Sequence, residues 1–179
     1  MLFVARMVEK KGTRYLLEAM KGIDARILLA GDGPERAGLE RLAGELGLDA
    51  EFLGAKDRNE LRVLYASCDV FAAPSVVAAD GDKDGLPVVI LEAMASGAPV
   101  IASDIAGIGE AVKDGENGIL VPPKDVDALR EALRTVLADP ELRRRYSRRS
   151  LELARAFDYS TIAERYHQVL EQAMDGWRG

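Results

Sequence analysis

The chain has very few of the residues on which many small enzymes and metal proteins depend. Its 179 residues include one cysteine, Cys68, and one histidine, His167. A single cysteine excludes an internal disulfide and a cysteine-rich metal site, and it fits a reducing compartment, so we expect a cytoplasmic protein. With a single histidine, which falls on the last helical segment, catalysis by a serine or cysteine nucleophile with a histidine base is not expected.

Long apolar runs and a positive net charge are also lacking. No apolar run approaches the roughly 18 residues of a transmembrane helix, and the net charge of −6 argues against a nucleic-acid binder. The exception is a cluster of five arginines: Arg143, Arg144, Arg145, Arg148 and Arg149. We interpret it as a solvated helix face, with contact to anionic lipid or substrate as the alternative, so membrane contact is open but not indicated. No charged leader precedes the first strand, as expected of a trimmed fragment or a separate half-enzyme.

The chain does contain a regular alternation of short β-like runs with helical patterns. Predicted strands cover Leu2–Ala5, Arg26–Ala30, Glu51–Leu53, Val70–Ala73, Val100–Ala102 and Gly118–Val121. Predicted helices cover Thr13–Lys21, Glu35–Leu46, Asn59–Ser67, Pro87–Ser96, Ile108–Val112, Val126–Ala138, Pro140–Phe157 and Ser160–Met174. Asp57 and Glu60 have capping-box spacing for the third helix, Asp139 is the predicted cap of the seventh, and Pro87 and Pro140 are predicted first helical residues. The alternation predicts an α/β fold, in which a Rossmann-like parallel sheet of about six strands is flanked by helices. We expect one domain over residues 1–179, with a helical tail over 124–179.

Glu92 is the strongest candidate for a functional acid. It is the one charged residue in Val88–Ala95, a run whose apolar character predicts a buried helix. A carboxylate there requires a partner or a ligand, because burying it alone is costly. Asp84 lies eight residues upstream, in an acidic loop before the helix, where capping of the helix and contact with a sugar are equally open and compatible roles. Helix amides attract phosphate and carboxylates accept hydrogen bonds from hydroxyls, so the pair predicts a sugar-nucleotide site.

Two cations, Arg6 and Lys11, follow the first strand on one loop. Together they are able to hold a diphosphate, and the alternative is that both are exposed surface cations. A Gly31-Asp32-Gly33-Pro34 turn follows the second strand. A dinucleotide fingerprint would follow the first strand and would carry a third glycine where Arg36 stands, so NAD binding is disfavoured.

The acidic loop Asp80–Asp84 resembles the start of a calcium-binding loop. An EF-hand requires its last ligand at position twelve, and that position is Leu91. A strand, not a helix, precedes the loop. We therefore expect no metal site here.

At these residues the chain resembles the retaining glycosyltransferases of family 4, enzymes with the two-domain GT-B architecture. The donor-site signature of that family matches Asp84-x(7)-Glu92 followed by Ala93–Ala102, and its pyrophosphate motif matches Ala5-Arg6-x(4)-Lys11-Gly12. Asp84 stands where the family has glutamate, and Ala5 where it has glycine. The resemblance covers almost all of this chain but only half of the architecture, so it implies that the N-terminal acceptor domain is absent.

The resemblance also implies a role for each candidate residue. Glu92 would hold the ribose, Arg6 and Lys11 the pyrophosphate, and Asp84 with the Gly85-Leu86-Pro87 amides the donor sugar. Three glycines would line the nucleotide cleft: Gly31, Gly33 and Gly54. The donor would be a nucleotide-sugar, UDP-sugar in preference to GDP-sugar, with no metal or other cofactor. The isolated chain is expected to bind donor and transfer little.

Three alternatives stay open at this stage. The chain could be one subunit of a split two-chain transferase, a non-catalytic nucleotide-sugar binding module, or an unrelated Rossmann-like domain. An apolar stripe on the last helix also predicts a homodimer, because an exposed stripe tends to find a partner. Its residues are Ile162, Tyr166, Val169, Leu170, Ala173 and Trp177.

Overall fold

The computed structural model describes residues 1–176 of the protein. The strands are β1 (Leu2–Val4), β2 (Ile27–Ala30), β3 (Ala50–Gly54), β4 (Phe71–Ala73), β5 (Val100–Ser103) and β6 (Gly118–Val121). The α-helices are α1 (Thr13–Met20), α2 (Arg36–Glu45), α3 (Arg58–Ser67), α4 (Val88–Ala95), α5 (Ile108–Ala111), α6 (Val126–Ala138), α7 (Pro140–Ala154) and α8 (Tyr159–Gly176). Two 3-10 turns cover Glu9–Lys11 and Arg155–Phe157.

The six strands form one sheet in the order β3-β2-β1-β4-β5-β6, and every neighbouring pair is parallel. The predicted parallel α/β fold is confirmed. The first three strands build outward from β1 in one direction, and the last three build outward from β4 in the other. The strand order therefore reverses between β1 and β4, which is where open α/β sheets place their ligands.

Both faces of the sheet are covered by helices. Successive side chains of a strand point to opposite faces, so Phe3 joins the apolar cluster that contains Leu17 of α1 and Leu133 of α6. Leu2 belongs to the cluster on the other face, which includes residues of α3 and α4. The almost continuous apolar character of the central strands follows from burial on both sides.

Local capping sequences set several helix boundaries. Asp57 and Glu60 form the predicted capping box at the start of α3. Asp139 caps α7, with Pro140 as the first helical residue, as predicted. The prediction for Pro87 was wrong by one residue, because its extended backbone (φ −64°, ψ 129°) makes it the residue before α4.

The expectation that α4 is buried on all sides was also wrong. Ile90, Ala93 and Met94 are buried, but Val88 is 66% exposed. An apolar helix therefore presents one apolar side chain at its first turn to solvent. The described residues of this chain do not cover that side chain.

The predicted helical tail divides into two parts. Helix α6 packs on α1 through buried residues such as Leu129 and Leu133, and Tyr146 of α7 is also buried. Helix α8, by contrast, exposes Ile162, Tyr166, Val169, Leu170 and Ala173. Trp177, the last residue of the predicted stripe, lies outside the described residues.

The arginine cluster lies along α7 as a partly paired polar face. Arg144 pairs with Glu141, and Arg149 pairs with Glu116 and Glu152. Arg143 donates to the carbonyl oxygens of Val136 and Leu137 at the end of α6. Over the part of the chain that the structure describes, no helix combines the length and the apolar character needed to cross a membrane.

Candidate donor site at the edge of the sheet

The loops that follow β1 and β4 meet where the strand order reverses. Lys11, from the loop after β1, lines a narrow crevice together with Ala73, Pro87 and Val89. Lys11, a candidate after β1, and Pro87, a candidate before α4, are therefore brought to one place. The topology explains this, because parallel strands end at the same edge of a sheet.

Lys11 and Asp84 form an ion pair in this structure. The Lys11 Nζ to Asp84 Oδ2 distance is 2.7 Å, and the two side chains are 18% and 16% exposed. Lys10, which the sequence reasoning missed, lies 3.5 Å from Asp84 Oδ1 and 2.9 Å from Asp82 Oδ2. The hydrogen bond to Asp82 raises the pKa of Lys10. The acid predicted to face a donor sugar thus contacts the cation predicted to face a pyrophosphate.

The acidic loop Asp80–Asp84 is tied to the β1 loop by these ion pairs. Among residues 1–176, no three acidic, histidine or cysteine side chains are grouped as a metal site would require. The absence of a metal requirement remains a prediction.

Arg6 is exposed and makes no ion pair within the described residues. Its backbone position is set by close contact with the glycine turn after β2. A Cβ atom at Gly31 would lie 1.9 Å from the carbonyl oxygen of Ala5, and one at Gly33 would lie 2.4 Å from that of Met7. Any larger residue at either position would push the Arg6 loop away from the turn. This close approach is the physical reason for two glycines at this point.

The same turn is joined to the end of β3. The Gly31 N–H donates to the carbonyl oxygen of Gly54 at 2.8 Å. Arg36 donates to the carbonyl oxygen of Phe52 at 3.2 Å, which ties the start of α2 to β3. The three predicted glycines therefore lie together at the strand ends. Arg36 has a structural role that the sequence reasoning did not assign.

The predicted sugar-contacting segment Gly85-Leu86-Pro87 forms the entry to α4. Pro87 is buried, Leu86 is half-buried and Gly85 is exposed. A Cβ atom at Gly85 would meet nothing within 4 Å, so the fold itself does not require glycine there. The amides of the first turn of α4 follow directly, at the crevice that Lys11 lines.

Glu92 lies one turn further along α4, in a groove of about 820 Å³ between α3 and α4. The groove is also lined by Asn59, Arg62 and Ser96. At 1.5 Å per helical residue, Glu92 is about 7 Å along the axis from Pro87. The acid and the crevice are therefore separate places joined by one helix.

Tyr65 is the partner that Glu92 required. Its hydroxyl donates to Glu92 Oε2 at 3.1 Å, and the side chain is 2% exposed. The sequence indicates that Glu92 needs a partner or a ligand, but it does not identify Tyr65 as that partner. The available signal was helical spacing, because Leu61, Leu64 and Tyr65 define the inward face of α3. Burial, and next the Glu92 charge, raises the pKa of the Tyr65 hydroxyl well above its ordinary value.

Comparison with known proteins agrees with the fold and the motifs. The family model described as glycosyl transferases group 1 matches residues 1–152. The chain is 37% identical over 176 residues to a phosphatidyl-myo-inositol mannosyltransferase of Mycobacterium leprae, which covers 95% of this chain and 46% of the relative. The chain belongs to the glycosyl transferases group 1 family. The alternative of an unrelated Rossmann-like domain is therefore excluded.

Solved structures give the same result. A sucrose-phosphate synthase from Thermosynechococcus elongatus superposes with a TM-score of 0.85 at 34% identity, covering 98% of this chain and 45% of that one. Anabaena HepE in complex with UDP superposes with a TM-score of 0.85 at 27% identity, covering 96% and 48%. The fold is thus the Rossmann-like half of a GT-B glycosyltransferase. The chain spans about half the length of the relatives it matches.

Proposed function

We propose that this chain is the donor-binding half of a retaining glycosyltransferase and that a nucleotide-sugar binds along the crevice and the α3–α4 groove. One observation carries the proposal. Lys11 and the start of α4 lie at the edge of the sheet where the strand order reverses, and Glu92 lies one turn further along α4, in the groove beside α3. A cation, free helix amides and a carboxylate in that order match a diphosphate followed by a ribose.

Each residue has a chemical role in this arrangement. Glu92 accepts hydrogen bonds from the ribose hydroxyls. Arg6 and Lys11 neutralise the pyrophosphate, which carries the developing charge as the leaving group departs, so their stabilisation is electrostatic. Asp84, with the amides of Gly85–Pro87, orients the donor sugar. The Gly54 end of β3 lines the base pocket through its backbone.

Lys11 cannot hold a pyrophosphate and keep its full contact with Asp84. The two side chains are in contact at 2.7 Å. Donor binding therefore requires the pair to loosen, after which the Asp84 carboxylate is released toward the sugar. Lys10 remains beside Asp84 and Asp82 and keeps the acidic loop attached.

We take a UDP-sugar as the donor class. Support comes from HepE, a relative whose structure contains UDP. We assign no metal to the reaction, because Arg6 and Lys11 supply positive charge at the diphosphate. The acceptor would bind to a second, N-terminal half, in keeping with the twofold greater length of the relatives. That half is either part of the same polypeptide or a partner subunit.

Glu92→Gln tests the proposal because it keeps the shape of the side chain and removes its charge. Charge-assisted hydrogen bonds contribute about 1.5–3 kcal/mol, so UDP affinity should fall roughly 10- to 100-fold. Isothermal titration calorimetry measures the change. Glu45→Gln, an exposed acid at the end of α2, is the matched control. Unchanged UDP affinity in folded Glu92→Gln would show that the ribose lies elsewhere.

A thermal-shift panel of UDP, GDP, ADP and their sugars identifies the nucleotide, since a ligand that binds the native state raises its stability. A response to none of them would favour a protein that has lost nucleotide binding. A response without transfer, even after the N-terminal half is supplied, would favour a non-catalytic binding module.

A further inference from the structure

Among the described residues, the Glu92 carboxylate has one hydrogen-bonding partner, and that partner is neutral. The Tyr65 hydroxyl lies 3.1 Å from Oε2 of Glu92, across the contact between α3 and α4. We propose that Tyr65 is a positioning residue for donor binding, which holds the Glu92 carboxylate in the orientation that receives the ribose hydroxyls. The inference rests on the proposed function, in which Glu92 contacts the ribose.

The tyrosine ring is itself held firmly in place. Tyr65 is 2% exposed, and its ring packs edge-on against Phe71 of β4 with 5.6 Å between centroids. Phe71 is fully buried in the central part of the sheet. The ring that carries the hydroxyl is therefore part of helix α3 and is held in place by its packing on the sheet. A single hydrogen bond from this hydroxyl then restrains the Glu92 carboxylate.

A tyrosine is suited to this role because it donates without neutralising. Burial raises the pKa of its hydroxyl, so the hydroxyl stays protonated and remains a donor. A lysine or arginine in its place would cancel the negative charge that strengthens bonds from ribose hydroxyls. Tyr65 occupies Oε2 alone, so Oε1 and the remaining lone pairs are left for a ligand.

The gain comes from ordering Glu92 before the ligand arrives. A glutamate side chain has three rotatable bonds and loses substantial rotamer entropy when a ligand fixes it. If Tyr65 has already fixed the carboxylate, that entropy is lost before the ligand binds, so binding costs less and affinity rises. Removing the hydroxyl should thus weaken every ligand that uses the ribose contact and leave other ligands unchanged.

The experiment compares UDP with 2′,3′-dideoxy-UDP, which lacks the ribose hydroxyls, on Tyr65→Phe. This substitution keeps the ring and its contact with Phe71. We expect UDP affinity to fall roughly 3- to 10-fold and dideoxy-UDP affinity to stay constant. Tyr146→Phe, a buried tyrosine of α7, is the matched control and should change neither affinity.

A double-mutant cycle provides the second readout. On the Glu92→Gln background, Tyr65→Phe should cause a much smaller loss of UDP affinity, because the two side chains act through one contact. A general loosening of the fold would instead lower the affinity for both nucleotides, and it would do so on either background. Equal losses for both nucleotides, or fully additive losses, would overturn the inference.

The cycle also separates the two proposals. If the wild-type chain binds UDP and dideoxy-UDP equally well and Glu92→Gln has no effect, the ribose role of Glu92 is wrong and both proposals fall. If the wild-type chain prefers UDP through Glu92 and Tyr65→Phe keeps that preference in full, only the role of Tyr65 is wrong.

Discussion

The two acids of the site, Asp84 and Glu92, lie eight residues apart but have opposite kinds of partner. Asp84, in the loop before α4, contacts Lys11 at 2.7 Å and Lys10 at 3.5 Å. Glu92, inside α4, contacts the neutral hydroxyl of Tyr65. The first acid is therefore charge-compensated by residues that a diphosphate would also attract. The second accepts a hydrogen bond from a neutral group and is only oriented by it.

The kind of partner determines what each acid is able to do when a ligand arrives. A carboxylate already paired with cations must exchange partners, so its contribution depends on which ligand competes for the lysine. A carboxylate held by a neutral donor is ready for hydroxyl groups without any exchange. We therefore expect substitutions near the start of α4 to change affinity mainly through the phosphates. Substitutions at its second turn should change affinity through the ribose.

Lys11→Ala should produce the largest contrast between the two regions. It removes the proposed charge-assisted contact to the pyrophosphate, so UDP affinity should fall roughly 10- to 100-fold, while uridine affinity stays unchanged. Calorimetry with both ligands measures the ratio. Lys21→Ala, at the far end of α1, is the control for the loss of one positive charge. An equal loss for uridine and UDP would mean that Lys11 does not face the phosphates.

Asp84→Asn should have a smaller effect of the opposite sign. It frees Lys11, so UDP affinity should rise about 5-fold, because partly exposed ion pairs contribute up to about 1 kcal/mol. With a UDP-sugar the gain should be smaller, since the sugar loses its acid. Asp82→Asn removes the same charge two residues away but leaves the Lys11–Asp84 pair intact. An equally large rise in UDP affinity for Asp82→Asn would show that the effect comes from the change in net charge. Competition between Asp84 and the phosphates for Lys11 would then not be its cause.

Removing α8 should leave nucleotide binding at both acids almost unchanged. A chain that ends at Asp158 should keep its UDP affinity within about 2-fold, because surface changes away from a site are usually small. The intact chain should self-associate at high concentration through the exposed stripe, and the shortened chain should not. Light scattering after size exclusion compares the two. A strictly monomeric intact chain would contradict the predicted homodimer.

The sequence predicted the six strands and their parallel arrangement, because period, capping residues and strand–helix alternation are local signals. The capping box of Asp57 and Glu60 is such a signal, and it was confirmed. Partner choice was not predictable in this way. The contacts Lys11–Asp84 and Tyr65–Glu92 join residues 73 and 27 positions apart, and no local pattern reports them.

The burial of α4 is a second feature that the sequence pattern did not predict correctly. An apolar run indicates that a segment prefers burial, but it does not say whether enough chain is present to cover it. Val88 of α4 is exposed, as are the apolar residues of α8, because the described residues pack no element over them.

The sequence alone was enough to single out the candidate residues: an acid inside an apolar run, an acid before it, two cations after the first strand and glycines at the turns. Which of these groups pair with one another depends on the three-dimensional fold. Strand order placed Lys11 beside the start of α4, and the packing of α3 on α4 gave Glu92 its tyrosine. Buried polar groups find their hydrogen-bond partners among residues that are close in the folded chain but often distant in sequence. A residue's partner is therefore set by packing across the fold, which its neighbours in the chain do not encode.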